Sequence, residues 1–286
     1  MGQTIAIIGG KQTIHNLMIA ANLFAVISSK SETSIQLIDF YLDNPTNHIF
    51  FESIISENKE IKRKIPIYNK ERCVYCGACS KFCSYKGIIF IKAIPYIQII
   101  QNACRACGAC FFACDHTALK STEKLLGSLT KYSTSNNETI LNGKIGNDIP
   151  YSLPLIKELK KQINKDFINI LDIPLSKPTQ LLESIKNVDF ILLISENTND
   201  SLEQLKQTLE IIKGEGISTS VFFNKINQQE NHALEFLETQ QIPIIAQLEI
   251  NTKIIDAINN QKLLVNINSN YKELFLNLFR EIERLS

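Results

Sequence analysis

The chain has 286 residues, 44% hydrophobic and 21% charged, an ordinary globular composition with room for one full-sized core and a small second unit. Thirty Lys and Arg stand against 29 Asp and Glu, a formal net charge of +1, which argues against a nucleic-acid footprint and against a charged interaction tail. No apolar run approaches the ~20 residues needed to cross a bilayer, and the opening MGQTIAII lacks the basic region and cleavage site of a signal peptide, so a cytoplasmic location is expected.

Thr4–Ile8 is a short apolar run ended by Gly9 and Gly10, Asn16–Ile27 has helical length and composition, and Ser34–Phe40 returns as a β-rich run. This βαβ opening predicts a parallel sheet with helices on its faces. A polar stretch around Ser56–Lys64 precedes a cysteine-rich segment, and Gly127–Ile149 reads as loops or a small hairpin. Alternation then resumes with a helix at Leu155–Lys165 and strands at Phe167–Leu171 and Phe190–Ile194. A helix at Leu202–Lys213, strands at Ser220–Phe223 and Pro243–Ala246, and helices near Thr252–Asn259 and Tyr271–Leu285 follow. Apolar strands without alternation indicate a sheet covered on both faces. The expected architecture is a mostly parallel α/β domain, residues 1–66 and 121–286, interrupted by a small α+β insert at 67–120.

All eight cysteines lie in that insert, as CVYCGACSKFC at 73–83 and CRACGACFFAC at 104–114, with every Cys repeated 31 positions on. The spacing C-x2-C-x2-C-x3-C is that of ferredoxin-type iron–sulfur ligation, in which the fourth Cys serves the neighbouring cluster. Two [4Fe–4S] clusters are therefore expected, one on Cys73, Cys76, Cys79 and Cys114, the other on Cys104, Cys107, Cys110 and Cys83. Gly77 and Gly108 would let the backbone turn tightly and aim amide N–H groups at cluster sulfur. Two other thiol chemistries compete. Disulfides fit poorly in a chain with no export signal, and zinc would leave the third closely spaced Cys redundant around a tetrahedral ion. Ferredoxins commonly place Pro after the fourth Cys, but Ser84 and Asp115 stand there, and polar or acidic neighbours lower a cluster's potential.

A strand, Gly-rich turn and helix, followed by an inserted two-cluster ferredoxin, resembles the MinD-like (Mrp/MinD, deviant Walker A) P-loop ATPases with a ferredoxin insert. The resemblance extends to LNGKIGN at 141–147, LDIP at 171–174 and SENTND at 195–200. It implies a nucleotide turn of the form GKGGxGKT, whereas this chain reads Gly10-Lys11-Gln12-Thr13-Ile14-His15-Asn16-Leu17. Gly10 and Lys11 match. Side chains at Gln12 and His15 obstruct the approach of backbone N–H groups to phosphate, Asn16 replaces the P-loop Lys, and Leu17 replaces the hydroxyl that holds Mg2+. By the same resemblance Lys11, Asp39, Asp172 and Asn224 are what is left of a degenerate nucleotide site, and the losses argue against ATP and Mg2+.

The expected function is electron transfer, in dimeric partnership with a MinD-like ferredoxin ATPase, of this or another sequence, or with a reductase. A cluster carrier or assembly scaffold, and an ATP-dependent reductase or ATPase, are the alternatives. His15 and His48 are expected to be solvated turn residues. Arg72 and Arg105, each beside a Cys, are expected to be exposed, with steering of an acidic redox partner as the competing role.

Overall fold

A computed structural model describes residues 2–10, 14–30, 33–136, 138–147, 149–225 and 232–286, with the backbone alone at 14–17 and 225. In chain order the elements are β1 (Gln3–Gly9), α1 (Ile14–Ser28), β2 (Ile35–Asp39), a 3-10 turn (Asn47–Phe50) and β3 (Ser53–Tyr68). Next come α2 (Ala78–Lys81), β4 (Ile88–Ile91), β5 (Tyr96–Ile99), α3 (Ala109–Phe112), β6 (Leu119–Thr134) and β7 (Thr139–Ile145). The chain continues with α4 (Leu153–Lys160), β8 (Ile168–Pro174), α5 (Pro178–Ile185), β9 (Phe190–Glu196), α6 (Asn199–Ile212), β10 (Ser218–Lys225) and α7 (His232–Thr239). It ends with β11 (Ile244–Glu249), α8 (Thr252–Asn259), a second 3-10 turn (Leu264–Asn266) and α9 (Ser269–Leu285).

Among the described residues nine strands form one sheet in the order β11-β10-β9-β1-β8-β2-β7-β6-β3, and the pairings from β11 to β7 are all parallel. Parallel strands need covered faces, and Ile5, Ile7, Leu171, Ile191 and Leu192 are buried regardless of which face they occupy. Phe24, Met18 and Leu23 of α1 share a core with Phe275, Leu278 and Ile282 of α9. Each such large side chain contributes about 1.5–3 kcal/mol by leaving water. Local chemistry sets the helix starts: Thr198 accepts from Ser201 N–H, Asn251 accepts from Ile254 N–H, and Pro178 opens α5.

The mostly parallel α/β class stands as read from sequence, and the hairpin read as one option at Gly127–Ile149 is present, but other segments differ. Ser56–Lys64 is part of the 16-residue strand β3, not a polar connection. Gly127–Ile149 holds the end of β6 and all of β7, a hairpin closed where Thr134 N–H donates to Glu138 O. The helix expected over 155–165 starts at Leu153 and stops at Lys160, while α5 and α7 were not expected at all.

The chain divides into two compact units. One comprises Met1–Asn58, Leu129–Lys144 and Ile156–Ser286, the other Lys59–Ser128 and Ile145–Leu155. The second contains the antiparallel pair β4–β5 and a small core of Cys79, Ile88, Ile97 and Cys110. Among the described residues no helix is long and apolar enough to cross a membrane.

Candidate functional site

The 31-residue repeat of the sequence is a repeat of backbone conformation. Tyr75 and Gly77 adopt left-handed φ of 51° and 77°, and Ala106 and Gly108, 31 residues later, adopt 54° and 82°; Lys86 and Thr117 follow at 52° and 48°. The short helices α2 and α3 begin directly after the two glycines. Gly87 N–H donates to Cys83 Sγ at 3.2 Å, and its counterpart Ala118 N–H donates to Cys114 Sγ at 3.3 Å. A non-glycine residue in the left-handed region costs about 1–2 kcal/mol, and such strain persists where function over-determines the backbone.

Each loop faces a cavity. One is lined by Cys73, Cys76, Cys79 and Cys114, together with Tyr68 and Ile97. The other is lined by Cys104, Cys107, Cys110 and Cys83, together with Tyr85 and Ile88. Each cavity thus takes three thiols from one half of the repeat and the fourth from the other. Cys79 and Cys110 are buried, while Cys76 and Cys107 are exposed. Burial, with neighbouring thiols adding, pushes Cys79 up and Cys110 to about 11, so these sulfurs ionise only when a metal takes the thiolate. Among the described residues no three His, Cys, Asp or Glu side chains converge on a point that would hold a single ion. Four soft donors around an apolar cavity, two of the eight receiving backbone N–H bonds, fit an iron–sulfur cluster.

The second cavity is also flanked by cations. Arg63 is buried, donating from Nη1 to Cys104 O at 2.6 Å and to the hydroxyl of Tyr151, which in turn donates to Cys104 O. Arg105 lies with its guanidinium carbon 4.0 Å from the Tyr151 ring centroid and 5.8 Å from that of Tyr85. Arg105 is therefore half-buried between two rings, contrary to the exposed side chain expected from sequence. Arg72 is exposed and reaches Thr117 Oγ1 at 3.3 Å. Neither Arg63 nor Tyr151 was singled out by sequence, since each lies far along the chain from Cys104.

The residues assigned to a nucleotide site divide. Lys11 lies outside the described residues, and the side chains of His15, Asn16 and Leu17 are not described. Asp39 and Asp172 stand opposite each other on β2 and β8, both buried. Asp39 accepts from the backbone N–H groups of Tyr41 (2.8 Å), Thr46 (3.0 Å) and Asn47 (3.2 Å), and Asn47 Nδ2 donates to Asp172 Oδ2 at 2.6 Å. Burial pushes Asp39 up to about 6; Asp172 is raised well above the carboxylate range, first by burial and then by the charge of Asp39. Asn224, at the end of β10, is buried with neither amide atom hydrogen-bonded. His48 is not a solvated turn residue: its ring stacks on Tyr132 at 4.5 Å and its Nδ1 meets Asn142 Nδ2 at 2.8 Å, with burial lowering its pKa. Asn47 is the residue that sequence reasoning missed here, and no local pattern marks it.

A family model for the 4Fe-4S dicluster domain matches residues 65–115. No curated protein matches the chain. Among solved structures the chain is similar to the cell division ATPase MinD of Pyrococcus furiosus, with a TM-score of 0.59 and 12% identity over 100% of each chain. It is also similar to MinD of Aquifex aeolicus, at 0.55 and 11% over 100% of this chain and 98% of that one. The septum site-determining protein MinD of Pyrococcus horikoshii, solved with Mg-ADP, gives 0.57 and 13% over 100% and 97%. At these identities the likeness is one of fold. The chain carries a domain matching the 4Fe-4S dicluster family, inserted in the sequence of a MinD-like P-loop NTPase fold.

Proposed function

We propose that the chain is an electron-transfer protein with two [4Fe–4S] clusters, one on Cys73, Cys76, Cys79 and Cys114, the other on Cys104, Cys107, Cys110 and Cys83. The observation that carries this reading is the sorting of eight thiols into two cavities, each drawing its fourth sulfur from the opposite half of the repeat. That is the ligand exchange a two-cluster ferredoxin needs. The bound clusters supply one-electron redox chemistry. The chain's own groups hold the sulfurs, exclude water from Cys79 and Cys110, and donate N–H bonds from Gly87 and Ala118.

In this reading the α/β unit is a pseudo-ATPase. Asn16 and Leu17 stand where the resemblance places the phosphate-binding Lys and the Mg2+-binding hydroxyl. Asp39 and Asp172 are engaged by Tyr41, Thr46 and Asn47, so their hydrogen-bonding capacity is turned toward the protein. Nucleotide-driven motion would then come from a partner, an ATP-competent relative or a reductase, to which this chain delivers electrons.

The test is anaerobic purification of the full chain, with iron and acid-labile sulfide counts, electron paramagnetic resonance after dithionite reduction, and calorimetry with Mg-ATP. Iron and sulfide for two cubanes, a reduced-state signal and no heat of nucleotide binding are expected. Zinc in place of iron, or ATP turnover by the isolated chain, would overturn the reading. Repeated redox cycling with unchanged iron content separates a relay from a cluster carrier, which would lose its iron to an apo-acceptor.

A further inference from the structure

The two halves of the repeat match in every cysteine but not in charge. Over 73–86 and 104–117 the aligned pairs that differ in charge are Val74 and Arg105, Lys81 and Phe112, Ser84 and Asp115, and Lys86 and Thr117. Because the fourth ligand crosses over, residues flanking Cys83 belong with the Cys104 cavity, and residues flanking Cys114 belong with the Cys73 cavity. All four differences then point one way. Of these charged residues Arg105 lines the Cys104 cavity, where its counterpart Val74 leaves the Cys73 cavity neutral; Lys81, Lys86 and Asp115 flank the crossing cysteines from exposed positions, and water screens them.

The tertiary structure adds to this bias. Buried Arg63 comes from a remote strand to donate to Cys104 O, while exposed Lys64 lines the same cavity. Arg105 is held between the Tyr85 and Tyr151 rings, a placement that keeps its charge beside the cavity. Arg72, the cation next to Cys73, is exposed, and water and salt screen it. A cluster becomes more negative when it gains an electron, so an unscreened cation nearby favours the reduced form.

We infer that Arg63 and Arg105 make the cluster on Cys104, Cys107, Cys110 and Cys83 the more easily reduced of the two, giving electron flow through the insert a fixed direction. One electron leaves the reduced cluster on Cys73, Cys76, Cys79 and Cys114, which is oxidised, and reduces its neighbour; no bond forms or breaks and no proton is exchanged. Arg63 and Arg105 are positioning residues for charge, not ligands. This inference rests on the two-cluster reading above.

The experiment is a redox titration of the anaerobically loaded full chain, followed by electron paramagnetic resonance, for the wild type, R105V and V74R. R105V gives one half the residue of the other. V74R places an Arg in the lining of the Cys73 cavity, at a position open enough to accept it, and keeps the test open if R105V folds poorly. The wild type is expected to show two waves, the distribution of the first electron favouring one cluster at least tenfold, which is 59 mV for a one-electron couple. R105V lowers the upper wave alone, and V74R raises the lower wave alone. Coincident waves in the wild type, or a shift of the lower wave by R105V, would overturn the inference while leaving the cluster assignment intact. An iron count short of two cubanes would overturn both.

Discussion

Gly77 and Gly108 occupy equivalent positions, yet they are not equally replaceable. Both have left-handed φ, which costs an L-residue about 1–2 kcal/mol, but a Cβ on Gly77 would sit 2.6 Å from the Phe90 ring, whereas one on Gly108 meets nothing within 4 Å. G108A is therefore expected to lose about 1 kcal/mol, and G77A at least twice that, with partial loss of iron from the Cys73 set. Thermal melts and iron counts on the two variants check this, and equal losses would contradict it. The second residue-scale prediction concerns the facing carboxyls on β2 and β8. A carboxyl raised from 3.8 to about 6 holds its proton more tightly folded than unfolded. Its contribution to stability is complete below pH 4 and is lost as pH rises through 6, a loss on the order of 3 kcal/mol. D172N keeps an acceptor for Asn47 Nδ2 while removing a carboxyl whose ionisation is opposed by burial and by the charge of Asp39. It is expected to be more stable than the wild type at pH 7.5, with the difference shrinking toward pH 4. Urea unfolding followed by circular dichroism across that range measures it, and a gap that widens toward acid would refute it.

At the scale of elements, what could be read from the chain follows its periodicity. Strands β1, β8 and β9 are unbroken apolar runs because both faces are covered, and α9 shows its buried stripe at Phe275, Leu278 and Ile282. Strand β3 was hidden for two reasons. Its first residues, from Ile54 to Glu60, are exposed on both faces and so carry no alternation. Farther along, Ile61, Arg63 and Ile65 do alternate inward, but an arginine takes the middle buried position, which conceals the pattern. The cysteine sets were legible in full because one period of 31 places every thiol. The polar network at the strand ends was not, because Asn47 reaches a carboxylate 125 residues away, and Arg63 reaches Cys104 across 41. Contacts of that separation leave no local signature. The short helices α5 and α7, of eight residues each, are too brief for a stripe to stand out from chance.

Across the whole molecule, stability is divided unevenly between the two units. The α/β unit has an extensive core, in which Phe24, Phe190, Phe222, Phe223 and Phe275 are wholly buried. In the cysteine unit the thiol loops rest on a small cluster, Cys79, Ile88, Ile97 and Cys110, half of which is made of sulfurs assigned to clusters, beside the buried Ile61, Ile65 and Leu126 of its long strands. A unit of that size needs a staple, and four strained non-glycine residues in its loops, Tyr75, Lys86, Ala106 and Thr117, add to the cost of holding it without one. Where ligands must be ionised and preassembled, metal binding is folding free energy. Stripping the clusters with an oxidant and a chelator is therefore expected to unfold residues 73–118 locally while the parallel sheet persists. Hydrogen exchange read by mass spectrometry should show amides of that segment losing protection by at least a hundredfold, with β1, β8 and β9 unchanged. Far-ultraviolet circular dichroism should retain most of its helical signal. Equal protection of 73–118 with and without iron would mean that the thiol loops are prefolded, and the strain in their backbone would then have to be balanced by the protein alone.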